Sequence, residues 1–210
     1  MGWRWIDMEN DPRRAHFEYF RSLPNNQVGV TVNVDVTDLH AFCKRSGASF
    51  YLAFMHVAAL AADGVPELRR RIREGRVVEY DACGTSHVEL AADGSYGYCT
   101  LEHHMPWAEY LERAEAARRR CRDRASIEED ADVDALYFVT CLPWLRFRDF
   151  TQPTDPAVSN PHISWGKLEE DWRGRRVLPV NLLAHHALVD GVHIAAFFRN
   201  LDEQLAAFGK

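Results

Sequence analysis

The chain has 210 residues, 47% of them hydrophobic, and a formal net charge of −6 at pH 7. That length buries one substantial core but hardly two large ones, so a single domain over residues 1–210 is expected. The acidic balance, with the arginine run from Arg118 to Arg124 set beside acidic neighbours, argues against nucleic acid as a partner.

Cysteines at 43, 83, 99, 121 and 141 form an odd set with no CxxC pair, which fits a reducing cytosol better than a disulfide framework. The opening MGWRWIDMEND is polar and aromatic, unlike a signal peptide, and no apolar run approaches the ~20 residues of a membrane span. A soluble, cytoplasmic protein with no membrane partner is expected.

In chain order, NDPRRAHFEYFRSL predicts a first helix, with Asn10 or Asp11 as cap, Pro12 in the first turn, and Phe17, Phe20 and Leu23 on one face. Val28, Val30, Val32, Val34 and Val36 then alternate strictly with other residues, the period of a strand with one buried face. Thr37 caps a short helix to about Arg45, and SFYLAFMHVAALAAD is apolar nearly all round, as a helix buried between layers is. Strands are predicted around Arg76 to Tyr80 and Ser86 to Leu90, with a third after the AADG turn. Pro106 opens a helix through PWAEYLERAEAARRRCRDR. Strands near Ala135 to Cys141, His162 to Leu168 and Val177 to His185 follow, and FTQPTDPAVSNPH, residues 150 to 162, reads as a proline-rich surface loop. A helix from Val192 to Phe208 closes the chain. Mixed elements in this order indicate an α+β two-layer sandwich.

Chemistry concentrates in LAHHALVDGVHIAAFF, residues 183 to 198. One reading is structural: Asp190 caps the last helix, Gly191 eases the turn, and Ile194, Phe197, Phe198, Leu201 and Leu205 form a core stripe. A second is a metal site from His185, His186, His193 and Asp190, weakened because neighbours on a strand point to opposite faces; His103 and His104 meet the same difficulty. A third is catalytic: the strand VLPVNLLA delivers His186 to the start of a turn, with Asp190 placed to lock that turn.

The string HHALVDGVH resembles the active-site signature of the type A chloramphenicol acetyltransferases, and three further stretches resemble that family in order: RRAHFEYFRSLP its first helix and turn, PELRRRIREGRVVEYD its helix and hairpin, and CLPWLRFRDF its Pro-Trp segment. HHxxxDG also marks the condensation domains of peptide synthetases, and E2 acyltransferases carry a related HxxxDG. Condensation domains hold two such halves in one long chain, and E2 chains add lipoyl and linker regions.

The resemblance implies a fold with a mixed β-sheet covered by helices. It also implies a homotrimer with active sites at subunit interfaces, acetyl-CoA as co-substrate, no metal, and a small hydroxyl compound as acceptor. Chloramphenicol is the leading acceptor, the chemistry of antibiotic resistance. His186 is implied as general base through Nε2, with its Nδ1 proton held by a main-chain carbonyl. Asp190 is implied to pair with Arg13 and hold the turn, with Gly191 as hinge into the helix; His185 and His193 are supporting residues. Thr140 falls where the family has a serine that stabilises the oxyanion, a departure that keeps the hydroxyl and adds a stiffening methyl. Ser164, Lys167 and Trp144 are implied on the coenzyme side, whereas Ser49 stands at a position that is basic in the family.

The implied acceptor pocket holds Phe20, Tyr96, Tyr98, Phe138 and Phe150. Tyr98 stands in place of a small alanine, Phe138 replaces a polar side chain, Gln152 and Thr154 replace apolar ones, and the turn before Asn25 and Asn26 is one residue shorter. This added bulk and polarity predict an altered acceptor. The alternatives are an acyltransferase for another alcohol or amine, and a catalytically idle relative that binds CoA or a partner protein.

Overall fold

A computed structural model describes residues 2–128 and 132–208. In chain order its elements are β1 (Trp3–Ile6), α1 (Arg14–Arg21), β2 (Gln27–Asp35), α2 (Thr37–Ser46), α3 (Phe50–Asp63), β3 (Arg70–Arg73), β4 (Arg76–Tyr80) and β5 (Gly84–Leu90). They continue with β6 (Tyr96–Leu101), α4 (Trp107–Asp123), β7 (Leu136–Cys141), β8 (His162–Trp165), β9 (Glu169–Glu170), β10 (Arg176–His185) and α5 (Gly191–Ala207).

The main sheet has seven strands in the order β2-β10-β8-β7-β5-β6, with β9 beside β10 at its start. The pairs β5–β7 and β7–β8 are parallel and the others antiparallel, so the sheet is mixed. A three-stranded antiparallel sheet, β1-β4-β3, lies apart from it. The α+β reading holds, with helices forming the second layer. α3 packs against α5, α2 and α4, and Phe54 meets Trp165 of the sheet edge-on at 5.0 Å. Eleven of the fourteen residues of α3 are buried, which is why its sequence shows no polar face.

Several sequence expectations shift for physical reasons. The valine strand is an edge strand, paired only with β10, and helices cover only its end: Val34 is 3% exposed but Val30 is 43%. The alternation therefore marks a half-covered face rather than a fully buried one. Helix α1 starts at Arg14 with Arg13 in the cap position, because residues 11–13 form a turn of their own; Asp11 closes that turn, its carboxylate accepting the N–H of Arg13 at 2.7 Å and its carbonyl the N–H of Arg14, while the Asn10 side chain turns back to Asp7. Thr37 is the first residue of α2; its hydroxyl is engaged by Asp35 and by the N–H of Arg176, so Val36 takes the cap position. The predicted strand to Leu168 ends at Trp165, and β1 and β3, too short to show a period of their own, form the small sheet with β4. The AADG turn is present, with Gly94 at φ 85°, a left-handed conformation that glycine adopts at little cost. All five cysteines are free thiols. Among the described residues no helix is long and apolar enough to cross a membrane.

Candidate active site

β10 is buried from Leu178 to His185, and its ladder with β2 ends at the pair His185–Gln27. His186 is thus the first residue off the strand. Its main-chain N–H donates to the carbonyl of Asn26 at 2.7 Å, and the Asn26 side chain donates in turn to the carbonyl of Pro156, tying the proline-rich loop to this corner. The His186 ring places Nδ1 2.9 Å from the carbonyl of Val189. A carbonyl only accepts, so Nδ1 carries a proton and, in the neutral ring, Nε2 holds the lone pair. No protein group among the described residues is hydrogen-bonded to that Nε2. Phe20 lies against the ring with centroids 3.8 Å apart.

The three histidines of the motif do three different things. Buried His185 accepts the N–H of Ala187 at Nδ1, and burial, with the charge of His186 as a lesser cause, pushes its pKa down to about 4. His193 accepts the N–H of Asp190 at Nδ1, closing a capping box at the start of α5. The Asp190 carboxylate accepts the N–H of Val192 and, through Oδ2, an N–H of Arg13 at 2.5 Å. Burial opposes ionisation of Asp190, but the hydrogen bond from Arg13 and the charges of His193 and Arg13 outweigh it, so its carboxyl titrates below the usual range. Gly191 is different from expectation. It opens α5 without a positive φ, and a Cβ there would meet nothing within 4 Å, so nothing in the chain's own packing requires glycine.

A second cluster lies on the other strands. Pairing sets Thr140 opposite Ser164 and Ser164 opposite Asn181, a polar row across β7, β8 and β10. Ser164 is fully buried and its hydroxyl has no hydrogen-bond partner. The Thr140 hydroxyl makes one long contact, 3.5 Å, to the amide oxygen of Gln152, so two departures from the family pattern face each other. Alternation along the strands sends Tyr96, Tyr98 and Phe138 to the same face as Thr140. Phe138 meets His162 edge-on at 5.2 Å, and burial first, then the charge of Arg71, pushes the His162 pKa down to about 4. Phe150 packs on Phe147.

Thr140 also lines a cleft of about 600 Å³ with Tyr51, Trp144, Trp165 and Gly166. Lys167, the next residue, is exposed beside it. The cleft wall includes Glu89, a feature that sequence reasoning missed because its meaning lies in contacts across elements: Arg118, Arg122 and His87 all meet this one carboxylate. Burial raises the Glu89 pKa, and the hydrogen bonds and charges of His87 and Arg118 more than reverse it, to about 2. Ser49, at the position that is basic in the resembled family, caps α3 by accepting the N–H of Leu52.

The two clusters are separate within one chain. Thr140 sits at the register of Asn181, four residues before the end of β10 at His185, or about 13 Å along the strand and two strands across. Of the aromatic residues expected around the acceptor, Phe20 joins His186, while Tyr96, Tyr98 and Phe138 belong with Thr140.

A family model described as chloramphenicol acetyltransferase matches residues 1–202. The chloramphenicol acetyltransferase of Escherichia coli is 26% identical over 96% of this chain and 93% of its own. A solved chloramphenicol acetyltransferase structure superposes with a TM-score of 0.83 at 27% identity, covering 97% of this chain and 100% of the other. The dihydrolipoamide acetyltransferase of Azotobacter vinelandii shares the fold at a TM-score of 0.66 and 16% identity, covering 92% of this chain and 86% of that one.

Proposed function

The chain belongs to the chloramphenicol acetyltransferase family of acyltransferases, and from that premise we propose that it moves an acetyl group from acetyl-CoA to the hydroxyl of a small acceptor. The observation that carries this reading is the state of His186: a half-buried ring with its proton fixed at Nδ1 by the Val189 carbonyl and an Nε2 that no described protein group engages. Such a nitrogen removes the proton from an acceptor hydroxyl as that oxygen attacks the thioester carbonyl, and the C–S bond then breaks to release the CoA thiol. The Thr140 hydroxyl donates to the oxyanion of the tetrahedral intermediate, supported by the unpartnered hydroxyl of Ser164, which has no competing bond to surrender. The cleft beside Thr140, with Trp144 and the flanking Lys167, receives the coenzyme. Arg13 and Asp190 hold the turn and take no proton from substrate.

The separation of His186 from Thr140 supports the assembly part of the proposal. Neither cluster forms a complete site alone, and a closed homotrimer brings the histidine corner of one copy to the threonine cleft of the next. Each chain, residues 1–210, then works as one domain in the cytoplasm, where its five thiols stay reduced.

Chloramphenicol is the leading acceptor, with Phe20, Tyr96, Tyr98, Phe138 and Phe150 as pocket. A second reading, a different alcohol or amine, is favoured by one observation: polar Gln152 contacts the Thr140 hydroxyl where the drug's apolar ring needs an apolar wall. The test follows thiol release from acetyl-CoA with chloramphenicol and with a panel of alcohols and amines, with His186→Ala as control. Turnover with chloramphenicol supports the first reading, turnover only with other acceptors the second. Failure with every acceptor overturns both in favour of an idle binding relative.

A further inference from the structure

The carbonyl of His186 lies just past the end of the β10 ladder, which closes at His185, so no strand supplies it a donor. A side chain from α1 does. His16 directs Nε2 to that carbonyl oxygen at 2.8 Å, and because a carbonyl only accepts, this nitrogen of His16 carries its proton. The two peptide planes that flank the Cα of His186 are therefore pinned from different elements: the N–H before it by the carbonyl of Asn26, the C=O after it by His16. Pinning both planes fixes φ and ψ of His186, and with them the direction in which its Cα–Cβ bond presents the ring. The carbonyl of Val189, which holds the ring proton, belongs to the same turn, three residues beyond that plane. Ring contacts agree with this arrangement, since His16 stands edge-on to the His186 ring at 5.3 Å and also packs on Phe20 at 4.6 Å.

We infer that His16 is a positioning residue for His186: its Nε2–H bond to the main-chain carbonyl sets the orientation from which His186 acts. This rests on the reading of His186 as the base. Arg13, three residues earlier on the chain, bonds the far end of the same turn at Asp190, so the entry to the first helix holds the turn at two points.

The test compares His16→Gln, whose amide nitrogen reaches about as far and donates, with His16→Leu, which fills the space and does not. With acetyl-CoA and whichever acceptor turns over, His16→Leu is expected to lower kcat about 10- to 100-fold. KM for acetyl-CoA and the melting temperature should stay near wild type, and His16→Gln should recover most of the rate. Nitrogen NMR of histidine-labelled protein gives a readout that needs no acceptor. His186 should show a single Nδ1–H form in the wild type and in His16→Gln, and shifts averaged between the two tautomers in His16→Leu. Wild-type kcat and ring shifts in His16→Leu would overturn the inference, and so would a His16→Gln variant no better than His16→Leu. If instead His186→Ala keeps full turnover, the base reading falls, and the ring shifts alone still decide whether His16 sets the orientation of His186.

Discussion

Arg13 and Asp190, 177 residues apart in sequence, meet through Nη1 and Oδ2 at 2.5 Å. The bond joins the segment that begins the first helix to the residue that caps the last one, and the turn carrying His186 lies between Asp190 and the end of β10. Because each side chain is about a quarter exposed, solvent screens the pair and its direct contribution to stability is modest. Its geometric effect is larger. Asp190→Asn keeps a good capping side chain but removes the charge, whereas Arg13→Ala leaves the carboxylate alone. In a double-mutant cycle followed by urea unfolding, a coupling of about 1 kcal/mol is expected. Activity should fall about 100-fold in either single variant through displacement of His186. Additive stability changes with unchanged turnover would show that the pair does not hold the turn.

His186→Ala removes the proposed base and should lower turnover about 10²- to 10⁴-fold. Thr140→Val keeps the shape of the side chain without the hydroxyl and should lower it about 10²- to 10³-fold, while Thr140→Ser stays active. Thiol release under saturating acetyl-CoA reads both. An active Thr140→Val would leave the oxyanion without this donor and refute that part of the assignment.

The separation of the two clusters makes a prediction that neither variant makes alone. His186→Ala and Thr140→Val proteins, each expected to be strongly impaired, are mixed, unfolded together and refolded so that their subunits exchange. Some interfaces then pair an intact histidine with an intact threonine, and activity should return. Equilibrium sedimentation should give three times the chain mass. A monomer, or a mixture that stays inactive, contradicts a site shared between copies.

Ser164 offers a test in which stability and activity move in different directions. Its hydroxyl is buried without a partner, an arrangement that costs about 1–3 kcal/mol relative to a satisfied group. Ser164→Ala should therefore leave the urea midpoint unchanged or raise it, while turnover drops. A clear loss of stability would mean that the hydroxyl is already engaged within the folded chain.

Four histidines make the fold acid-sensitive. Burial is the main cause in each: it lowers the pKa of His56, His162 and His185 to about 4 and that of His103 well below its ordinary value. The unfolded chain takes up protons on these groups near pH 6.5 while the native chain still refuses them, so the unfolded state binds more protons across this window. Their stability is fully present above pH 6.5 and is lost as pH falls toward 4, by up to about 1.4 kcal/mol per pH unit for each group. Urea midpoints at pH 7.5 and 5.5 check it: a fall is expected, and equal midpoints would refute the burial of these rings.

Much of the fold was legible in the sequence because its signals are local. The apolar α3, the alternating β2 and the capped α5 each obey a period or an end rule that needs no partner, and the motif from His185 to His193 placed a turn where the structure has one. Departures at Thr140 and Gln152 were visible as residue types, but not that they touch. The small sheet escaped because β1, four residues long, acquires its partner β4 only through a contact across more than seventy positions. His16 escaped for a similar reason: on a helix of alternating polar and apolar residues it resembles any surface histidine until the end of β10 is brought beside it.

By itself, then, the sequence determined which segments form helices and strands, where the chemistry-bearing residues fall, and which family the chain resembles, since all of these depend on side chains near one another along the chain. Only the tertiary structure decided that His16 and Asn26 pin the two peptide planes of His186, and that Thr140 lies on the sheet about 13 Å short of the strand end that carries the histidine. Those relations come from strand register and from packing between distant elements, and no spacing along the chain encodes a distance across it.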